Sequence, residues 1–209
     1  MPTFETIVLF MSAGLALNLT PGPDMLYVAT RSASDGRAAG LVSALGIAVG
    51  CLGHLAALTF GLAALLSRVP AAYDVVRLAG AAYLAYLGMR ALIRPQPLSL
   101  DTRVARSSLG AVFRQGVFTN LLNPKVALFF LAFLPQFVDP ARGSPVTQIV
   151  LLGLLFNCSG TLVNAVVADV ASRATAWLRA QEAASRRLQR LTGAIFVALG
   201  VRLAWIRRA

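Results

Sequence analysis

The sequence is poor in charged residues. Only 13% of its 209 residues are Asp, Glu, Lys or Arg, and 57% are hydrophobic, with a mean hydropathy of +0.72. A soluble domain carries about 25% charged residues, so this chain lacks the polar surface that a soluble fold needs. The net charge of +11 comes from basic residues that lie mostly in short connections between apolar stretches. That pattern is typical of loops at an anionic membrane face. It predicts contact with membrane lipid and no nucleic-acid partner.

The residues that soluble enzymes use for catalysis are also scarce. The chain has one histidine, His54, and two cysteines, Cys51 and Cys158, both in apolar stretches. A single histidine cannot supply the ligands of a usual zinc site. Neither a phosphate-binding loop nor a Gly-x-Ser-x-Gly motif is present. We therefore expect no enzyme, no metal site and no cofactor, and we interpret the two cysteines as small buried residues.

Six apolar stretches dominate what is present. Each is long enough to cross a membrane as a helix, which predicts an all-α membrane protein with six transmembrane helices. The predicted segments 1 to 6 cover residues 4–29, 39–66, 73–93, 111–138, 147–170 and 188–206. A polar connection over residues 94–110 separates the third segment from the fourth. The expected organisation is a single transmembrane domain over 1–209, with one half at 1–93 and the other at 111–209.

Internal repeats relate these two halves. The matching pairs are 77–81 with 190–194, 87–90 with 199–202 and, more weakly, 19–22 with 122–125. Their offsets of 113, 112 and 103 residues keep the same order in both halves. Three segments per half is an odd number, so the second half must enter the membrane inverted. The sequence therefore predicts two inverted three-helix repeats, an architecture of many secondary transporters.

The arginines predict an orientation. Twelve of the eighteen arginines fall in the connections 1–2, 3–4 and 5–6, and six fall on the other side. Arg31 and Arg37 are assigned to the first of these connections. By the positive-inside rule, both chain termini are expected outside the cytoplasm.

Two proline motifs interrupt segments 1 and 4. Pro21 and Pro23 lack a backbone N–H and disfavour helix at the residue before them, so the first segment should break near Thr20. Pro124 should break the fourth segment after Asn123 for the same reason. The alternative is that these prolines only kink packed helices. Their matched placement in the two halves favours broken helices that expose backbone groups to a small solute.

Lys125, beside the second motif, is the only lysine of the chain. A charge at this depth in a membrane needs a partner or a water-filled cavity. Lys125 is therefore either part of a substrate or coupling site, or one member of a structural ion pair with Asp24 or Asp169. Both aspartates are candidate proton carriers, because carboxylates inside a membrane segment often mark proton relays. Asp169 lies close to a segment end, so a plain interfacial role is the alternative there.

Neutral polar residues complete the candidate site. Asparagines offer donors and acceptors to a solute, and one or two of them are expected only to bridge helices. His54 is either a hydrogen-bonded structural histidine or a residue that lines the pore or relays protons. The candidate substrate-binding or coupling residues are Thr20, Pro21, Gly22, Pro23, Asp24, His54, Asn120, Asn123, Pro124, Lys125, Asn157, Asn164 and Asp169.

Four motifs carry a resemblance to a known family. They are Thr20-Pro21-Gly22-Pro23-Asp24, Gly80-Ala81-Ala82-Tyr83-Leu84 with Gly88, Asn120-Leu121-Leu122-Asn123-Pro124-Lys125, and Phe133-Leu134-Pro135-Gln136-Phe137. The chain resembles the lysine exporter superfamily, and within it the homoserine/threonine-efflux branch, over nearly its whole length. The resemblance implies a bacterial inner-membrane exporter of amino acids or close derivatives that is driven by protons. It also implies that the two proline motifs meet near the membrane centre.

The sequence thus predicts a proton-coupled amino-acid exporter whose partners are its substrate, protons and membrane lipid. In this reading Lys125 and the groups freed at Pro21 and Pro124 hold the substrate carboxylate. Asp24 pairs with Lys125 or binds the substrate ammonium. Three alternatives stay open: efflux of another small solute or a metal cation, a membrane scaffold, and an intramembrane enzyme. The sequence also leaves open which amino acid is moved and whether the chain forms a homo-oligomer.

Overall fold

The computed structural model of the chain describes residues 1–68 and 107–173, with isolated helical positions between 78 and 93 and between 190 and 201. Apart from those positions, predicted segments 3 and 6 lie outside the described residues. So does most of the connection over 94–110. The regular elements of the described part are all helical, in agreement with the predicted all-α class.

Six α-helices carry the described part. They are α1 (Phe4–Leu19), α2 (Pro23–Asp35), α3 (Arg37–Arg68), α4 (Leu109–Leu121), α5 (Pro124–Leu128) and α6 (Pro145–Arg173). Two of them, α3 over Arg37–Gly61 and α6, are long and apolar enough to cross a membrane. The pair α1–α2 is bent by 49°, and α4 is bent by 46° against the stretch Pro124–Phe137, which begins with α5. Each of the two has the length and composition of one broken span. The described residues thus contain two to four of the six predicted spans.

The bends lie at the proline motifs, as the sequence predicts. At the first break, Thr20 ends α1 by donating its N–H to the Ala16 and Leu17 carbonyls at 3.2 and 3.1 Å. Pro23 then opens α2 at the first helical position, where a missing N–H costs no hydrogen bond. At the second break, the Asn123 side chain accepts the Lys125 N–H at 3.0 Å and caps α5. The predicted breaks near Thr20 and Asn123 are confirmed.

Segment 4 departs from a regular helix a second time. A π-helical turn over Phe129–Phe133 and a 3₁₀ turn over Leu134–Phe137 follow α5. Pro135 has no N–H to donate to the carbonyl four residues earlier, so the α-helical ladder cannot continue through it. A second 3₁₀ turn at Pro140–Arg142 leads into α6. One break was predicted in segment 4, at Asn123, and this second departure was not identified from the sequence.

Two predicted segment boundaries fall short of the structure. Segment 1 was expected to end near Ala29, but α2 continues to Asp35 and turns sharply into α3 at Gly36, whose φ is +92°. Only glycine adopts this conformation without steric cost. Segment 5 was expected over 147–170, whereas α6 covers Pro145–Arg173. The ends of both helices are polar, so the apolar stretches in the sequence are shorter than the helices themselves.

Glycines bring α3 and α4 into backbone contact. A Cβ on Gly46 would collide with the Phe113 carbonyl oxygen, and a Cβ on Gly50 would lie 2.7 Å from the Val117 carbonyl oxygen. The two helices run parallel, because both residue numbers rise together along the contact. Small residues allow such close packing in membranes, where lipid gives no hydrophobic drive for helix association. The close contact stops before Gly61, whose Cβ position is open.

Glycine contacts also give the direction of α6. Gly40 and Gly153 of α3 and α6 face Ala168 and Leu55 respectively, so these two helices are antiparallel. Residue numbers rise together where α6 meets α1, because a Cβ on Gly14 would lie 3.1 Å from Phe156. The first broken pair therefore runs with α6, and α4 runs with α3.

Replacement of Gly46 by alanine should destabilise the protein. The added methyl group meets a backbone oxygen that cannot rotate away, and overpacking of this kind costs about 1–3 kcal/mol. The Gly61→Ala variant is the matched control, because it makes the same change on the same helix in open space. We expect a lower thermal midpoint in detergent for Gly46→Ala only. Equal midpoints for the two variants would contradict the α3–α4 contact.

The outward faces of the helices are apolar. Leu45, Val49 and Leu52 are exposed along α3, and Leu154 and Leu162 are exposed along α6. Such faces suit lipid, which hydrates no polar group. Cys51 is buried, but Cys158 is exposed on the outer face of α6. The interpretation of both cysteines as buried residues is therefore wrong for Cys158.

Aromatic side chains fill the core beside the breaks. Phe129 stacks on Phe156 with ring centroids 4.6 Å apart, and it contacts Phe10 at 5.7 Å. These rings join the π-helical turn to α1 and α6, and Phe10 and Phe130 are almost fully buried. The cluster fixes the positions of α1 and α5, from whose ends the polar residues of the breaks project.

Candidate functional site

Lys125 crosses from the second break into the first. Its Nζ donates hydrogen bonds to the carbonyl oxygens of Leu17 and Thr20 at 3.1 and 2.9 Å. Pro21 has no N–H to donate to the Leu17 carbonyl, which accepts the Thr20 N–H instead, and the ammonium group is its second donor. A positive charge at the C-terminal end of α1 is also favoured by the helix dipole. The lysine of one motif therefore completes the broken helix of the other.

Gly22 makes room for this ammonium group. A Cβ at this position would lie 3.0 Å from Lys125 Nζ and 3.4 Å from its Cε. Any side chain at residue 22 would press against the lysine. The glycine between the two prolines is explained by this close approach, because its φ of −162° is open to any residue.

Asp24, from the first proline motif, is in turn bound by a residue of the second motif. The Asn120 side chain, from the last turn of α4, donates its Nδ2 hydrogen to Asp24 Oδ2 at 2.8 Å. Asp24 stands in the first turn of α2, where an acidic residue is favoured by the helix dipole. The backbone carbonyl of Asn120, which Pro124 leaves without its usual donor, accepts from His54 Nε2 at 3.0 Å. His54 therefore ties α3 to the second break.

Three polar atoms at this junction are buried and have no hydrogen-bond partner among the described residues. They are Asp24 Oδ1, Asn120 Oδ1 and Asn123 Nδ2. Buried polar groups are nearly always paired in folded proteins. The side chains of Asn120 and Asn123 both lie close to the Asp24 carboxylate. The junction thus presents two acceptors and one donor, with the Lys125 ammonium nearby.

The two charges of the junction do not pair with each other. Lys125 and Asp24, both in the described part, form no ion pair, because the ammonium is held by the α1 carbonyls. Asp169 is also not a partner of Lys125. It binds Arg37 Nε at 2.7 Å and Arg173 Nη2 at 3.0 Å near the end of α6. The structural ion pairs that the sequence allowed for Lys125 are therefore absent, and the arrangement of Asp169 suits the interfacial interpretation.

The sequence that forms both breaks matches a known protein family. The family model described as LysE type translocator matches residues 15–206, which include both breaks. The chain belongs to this family. As a translocator it is a transporter and not an enzyme, and it is a multi-pass protein of the inner membrane.

Relatives of this translocator extend over the whole chain. A homoserine/homoserine lactone efflux protein of Salmonella typhimurium is 30% identical over 207 residues, which cover 99% of this chain and 100% of the relative. The protein of the same description from Salmonella typhi matches equally well. An uncharacterized membrane protein of Pseudomonas aeruginosa is 31% identical over 193 residues, 89% of this chain and 88% of the relative. No solved structure matches the chain.

The remaining predicted residues of the translocator lie on α6. Asn164 is buried and shares a helix face with Gly160 and Ala168, which contact α1 and α2 respectively. Asn157 is half-buried one turn before Gly160. Neither side chain forms a hydrogen bond with another described residue. The structure therefore brings Asn164 to the face of α6 that meets the first broken pair, without a hydrogen bond to the residues of the Asp24–Lys125 junction.

Asn18 is the asparagine that bridges helices. Its Nδ2 donates to Ser159 Oγ at 3.0 Å and to the Phe156 carbonyl at 3.4 Å. This contact holds the last turn of α1 against α6.

Within the described residues, no three His, Cys, Asp or Glu side chains are grouped as a metal site would require.

A second polar cluster of the translocator was missed in the sequence. Arg31 was assigned to the connection between segments 1 and 2, but it lies in α2 and is only 6% exposed. Its Nη1 donates to Asp35 at 3.0 Å and its Nη2 to Gln115 of α4 at 2.8 Å. The helical spacing of Asp24, Tyr27, Arg31 and Asp35, which puts all four on one face of a helix, is the signal that would have found it.

Proposed function

We propose that this translocator exports amino acids or close derivatives, with homoserine-like zwitterions as the first candidates. The observation that carries the proposal is the set of unpartnered atoms at the junction of the two breaks. An α-amino acid carries its ammonium group and its carboxylate on the same carbon atom. The junction offers unpartnered acceptors for the first and donors for the second.

In the proposed complex the substrate ammonium lies against Asp24 Oδ1 and Asn120 Oδ1. Both atoms are buried acceptors, and a charged donor is the strongest partner for a carboxylate in such a place. The substrate carboxylate takes the Asn123 Nδ2 hydrogen and the remaining hydrogen of the Lys125 ammonium, which uses two donors on α1. This pose uses every unpartnered atom of the junction once.

The names of the two Salmonella relatives fit the same chemistry. They name homoserine and its lactone, which share the ammonium group and a carbonyl oxygen but differ in the carboxylate charge. A site that recognises the ammonium through Asp24 would accept both compounds. Carriage of these two compounds by the present chain is part of the proposal.

The path of the chain supports an alternating-access mechanism. The first broken pair runs opposite to α4–α5, and α3 runs opposite to α6, which are the directions that two inverted halves require. We extend this to the full proposal of two three-helix halves, 1–93 and 111–209, within one transmembrane domain over 1–209. The binding site lies where the broken helices of the two halves meet.

Proton coupling belongs to the same proposal. A proton that reached Asp24 would neutralise the carboxylate and weaken its hold on the substrate ammonium. Release of the substrate would then be coupled to proton entry, as in other carriers with intramembrane carboxylates. Lys125 keeps its charge in this scheme, because the Leu17 and Thr20 carbonyls accept from its ammonium group.

The function is tested by export and by competition. Cells that overproduce the protein are fed a mixture of dipeptides, and external amino acids are measured against a vector control. We expect a subset of small amino acids to appear several-fold faster. In proteoliposome counterflow with an exported amino acid, the N-acetyl derivative, which has no ammonium, should compete at least about 30-fold more weakly.

Two results would contradict the proposal. One is unchanged export of every amino acid although the protein is present in the membrane. The other is equal competition by the amino acid and its N-acetyl derivative, since a site built on Asp24 must distinguish them. Increased metal tolerance of the same cells, without amino-acid export, would favour a metal cation as the solute.

A further inference from the structure

Beyond the junction, polar side chains continue along the contact between α2 and α4. Asp24, Tyr27, Arg31 and Asp35 share one face of α2, and Gln115 and Asn120 face them from α4. We call these six residues the polar seam. It extends from the proposed substrate site to the end of α2, about 16 Å along the helix axis.

Hydrogen bonds close the far end of the seam. Tyr27 Oη donates to the Val112 carbonyl at 2.8 Å and is 3.2 Å from Gln115 Oε1. Arg31 Nη2 donates to the same Gln115 oxygen at 2.8 Å, and the Arg31 guanidinium lies 5.8 Å from the centre of the Tyr27 ring. Together these contacts tie α2 to α4 through the side chains of Tyr27, Arg31 and Gln115 and one backbone carbonyl of α4.

The ion pair in the seam is poorly suited to a purely structural role. The side chains of Arg31 and Asp35 are each 7% exposed, and Asp35 Oδ1 has no hydrogen-bond partner among the described residues. A buried pair with an unsatisfied oxygen is usually less stable than apolar residues of the same size. If the ion pair forms and breaks during a transport cycle, its side chains must be stable both when buried and when in contact with water. That requirement is a reason to retain charged groups at this place.

We propose that the Arg31–Asp35–Gln115 cluster is a gate that closes the polar seam on the face where α2 ends, and that the seam is the substrate path on that side of the membrane. This rests on the proposed transport function of the junction. The face in question also carries Arg37 and Arg173, and the arginine distribution predicts that it is cytoplasmic. The gate opens when Arg31 releases Gln115 and α2 moves away from α4.

The gate is tested by thiol accessibility, which needs no substrate. The reporter is Ser43→Cys in a chain whose Cys51 and Cys158 are replaced by alanine. Ser43 is fully buried on α3 and its carbonyl oxygen packs against Gly116, next to Gln115. A membrane-impermeant methanethiosulfonate reagent is added to one face at a time, using intact cells and inverted vesicles.

We expect Asp35→Asn to raise the labelling rate at least about tenfold, and only from the face that carries Arg37. Arg37→Gln is the matched control. It breaks the Arg37–Asp169 pair on the same face, but those side chains are 59% and 31% exposed and lie outside the seam. An unchanged rate for Asp35→Asn would overturn the gate. An equal rise from both faces would also overturn it, because that result indicates general loosening.

A second variant separates a gate from a structural contact. Arg31→Met combined with Asp35→Leu fills the same space with apolar groups, and such replacements usually keep the fold. A gate fixed in this way should label more slowly and lose at least about tenfold in transport rate, with unchanged protein yield. Full transport by the double variant would overturn the gate. If the amino-acid proposal fails, the labelling results still decide the gate.

Discussion

Asp24→Asn should reduce amino-acid transport by at least about 30-fold. The substitution keeps the shape of the side chain and its contact with Asn120, but it removes the charge that faces the substrate ammonium in the proposed complex. Asp24 Oδ1 is buried without a partner among the described residues, so no other described group would compensate. The measurement is counterflow in proteoliposomes at matched protein density, with size-exclusion profiles to show that the variant is folded.

The control for this variant is Asp169→Asn. It makes the same chemical change in a carboxylate that is 31% exposed and bound to Arg37 and Arg173. Exposed ion pairs contribute little to stability, about 0–1 kcal/mol, so transport should stay within about threefold of the unchanged protein. If the two variants lost transport equally, the ammonium site would have to lie elsewhere.

The breaks in the helices could be predicted from the sequence because their cause is local. A proline lacks the backbone N–H donor and disfavours helix at the residue before it, and both effects are the same in any fold. Pro135 obeys the same rule, and the turn that follows Phe129 could have been predicted from it. The glycines of α3 that contact α4, Gly46, Gly50 and Gly53, are spaced by four and three residues in the sequence, but only the structure shows that the contact stops before Gly61.

The partners of the charged residues could not be predicted in this way. Lys125 binds carbonyls more than one hundred residues earlier in the chain, and a carbonyl has no signature in the sequence. The alternatives for Lys125 were therefore restricted to aspartates, neither of which pairs with it in the described part. Arg31 was misassigned for a related reason. Charge alone placed it in a connection, whereas its burial depends on Gln115 of a distant helix.

The polar groups of the junction fall into two sets: those that bind backbone carbonyls and those with atoms that have no protein partner among the described residues. His54 and the Lys125 ammonium donate to backbone carbonyls at the two breaks, and two of these, Leu17 and Asn120, have lost their usual helical donor to a proline. The side chains of Asp24, Asn120 and Asn123 keep atoms free of protein partners in the described part. A broken helix is stable in a membrane only if its freed groups are satisfied. The first set meets that requirement, and the second set can therefore serve the substrate.

Lys125→Met should reduce homoserine transport by at least about 30-fold and homoserine lactone transport much less. Methionine has a similar length without the charge. The homoserine carboxylate then loses its cation, whereas the neutral carbonyl of the lactone can still accept from Asn123. The ratio of the two counterflow rates is the measurement. A purely structural lysine would lower both rates by the same factor, because both substrates would meet the same damaged site.

Chemical rescue provides the control for Lys125. In a chain whose Cys51 and Cys158 are replaced by alanine, Lys125→Cys should be inactive and should recover homoserine transport after treatment with 2-bromoethylamine, which adds an ammonium group at nearly the original length. Lys125→Arg should not recover it. The space beside Gly22 is filled by the ammonium itself, and a planar guanidinium cannot bind the Leu17 and Thr20 carbonyls in the same geometry. Full activity of the arginine variant would mean that charge alone is required at this position, and that the close fit between Gly22 and Lys125 has no part in transport.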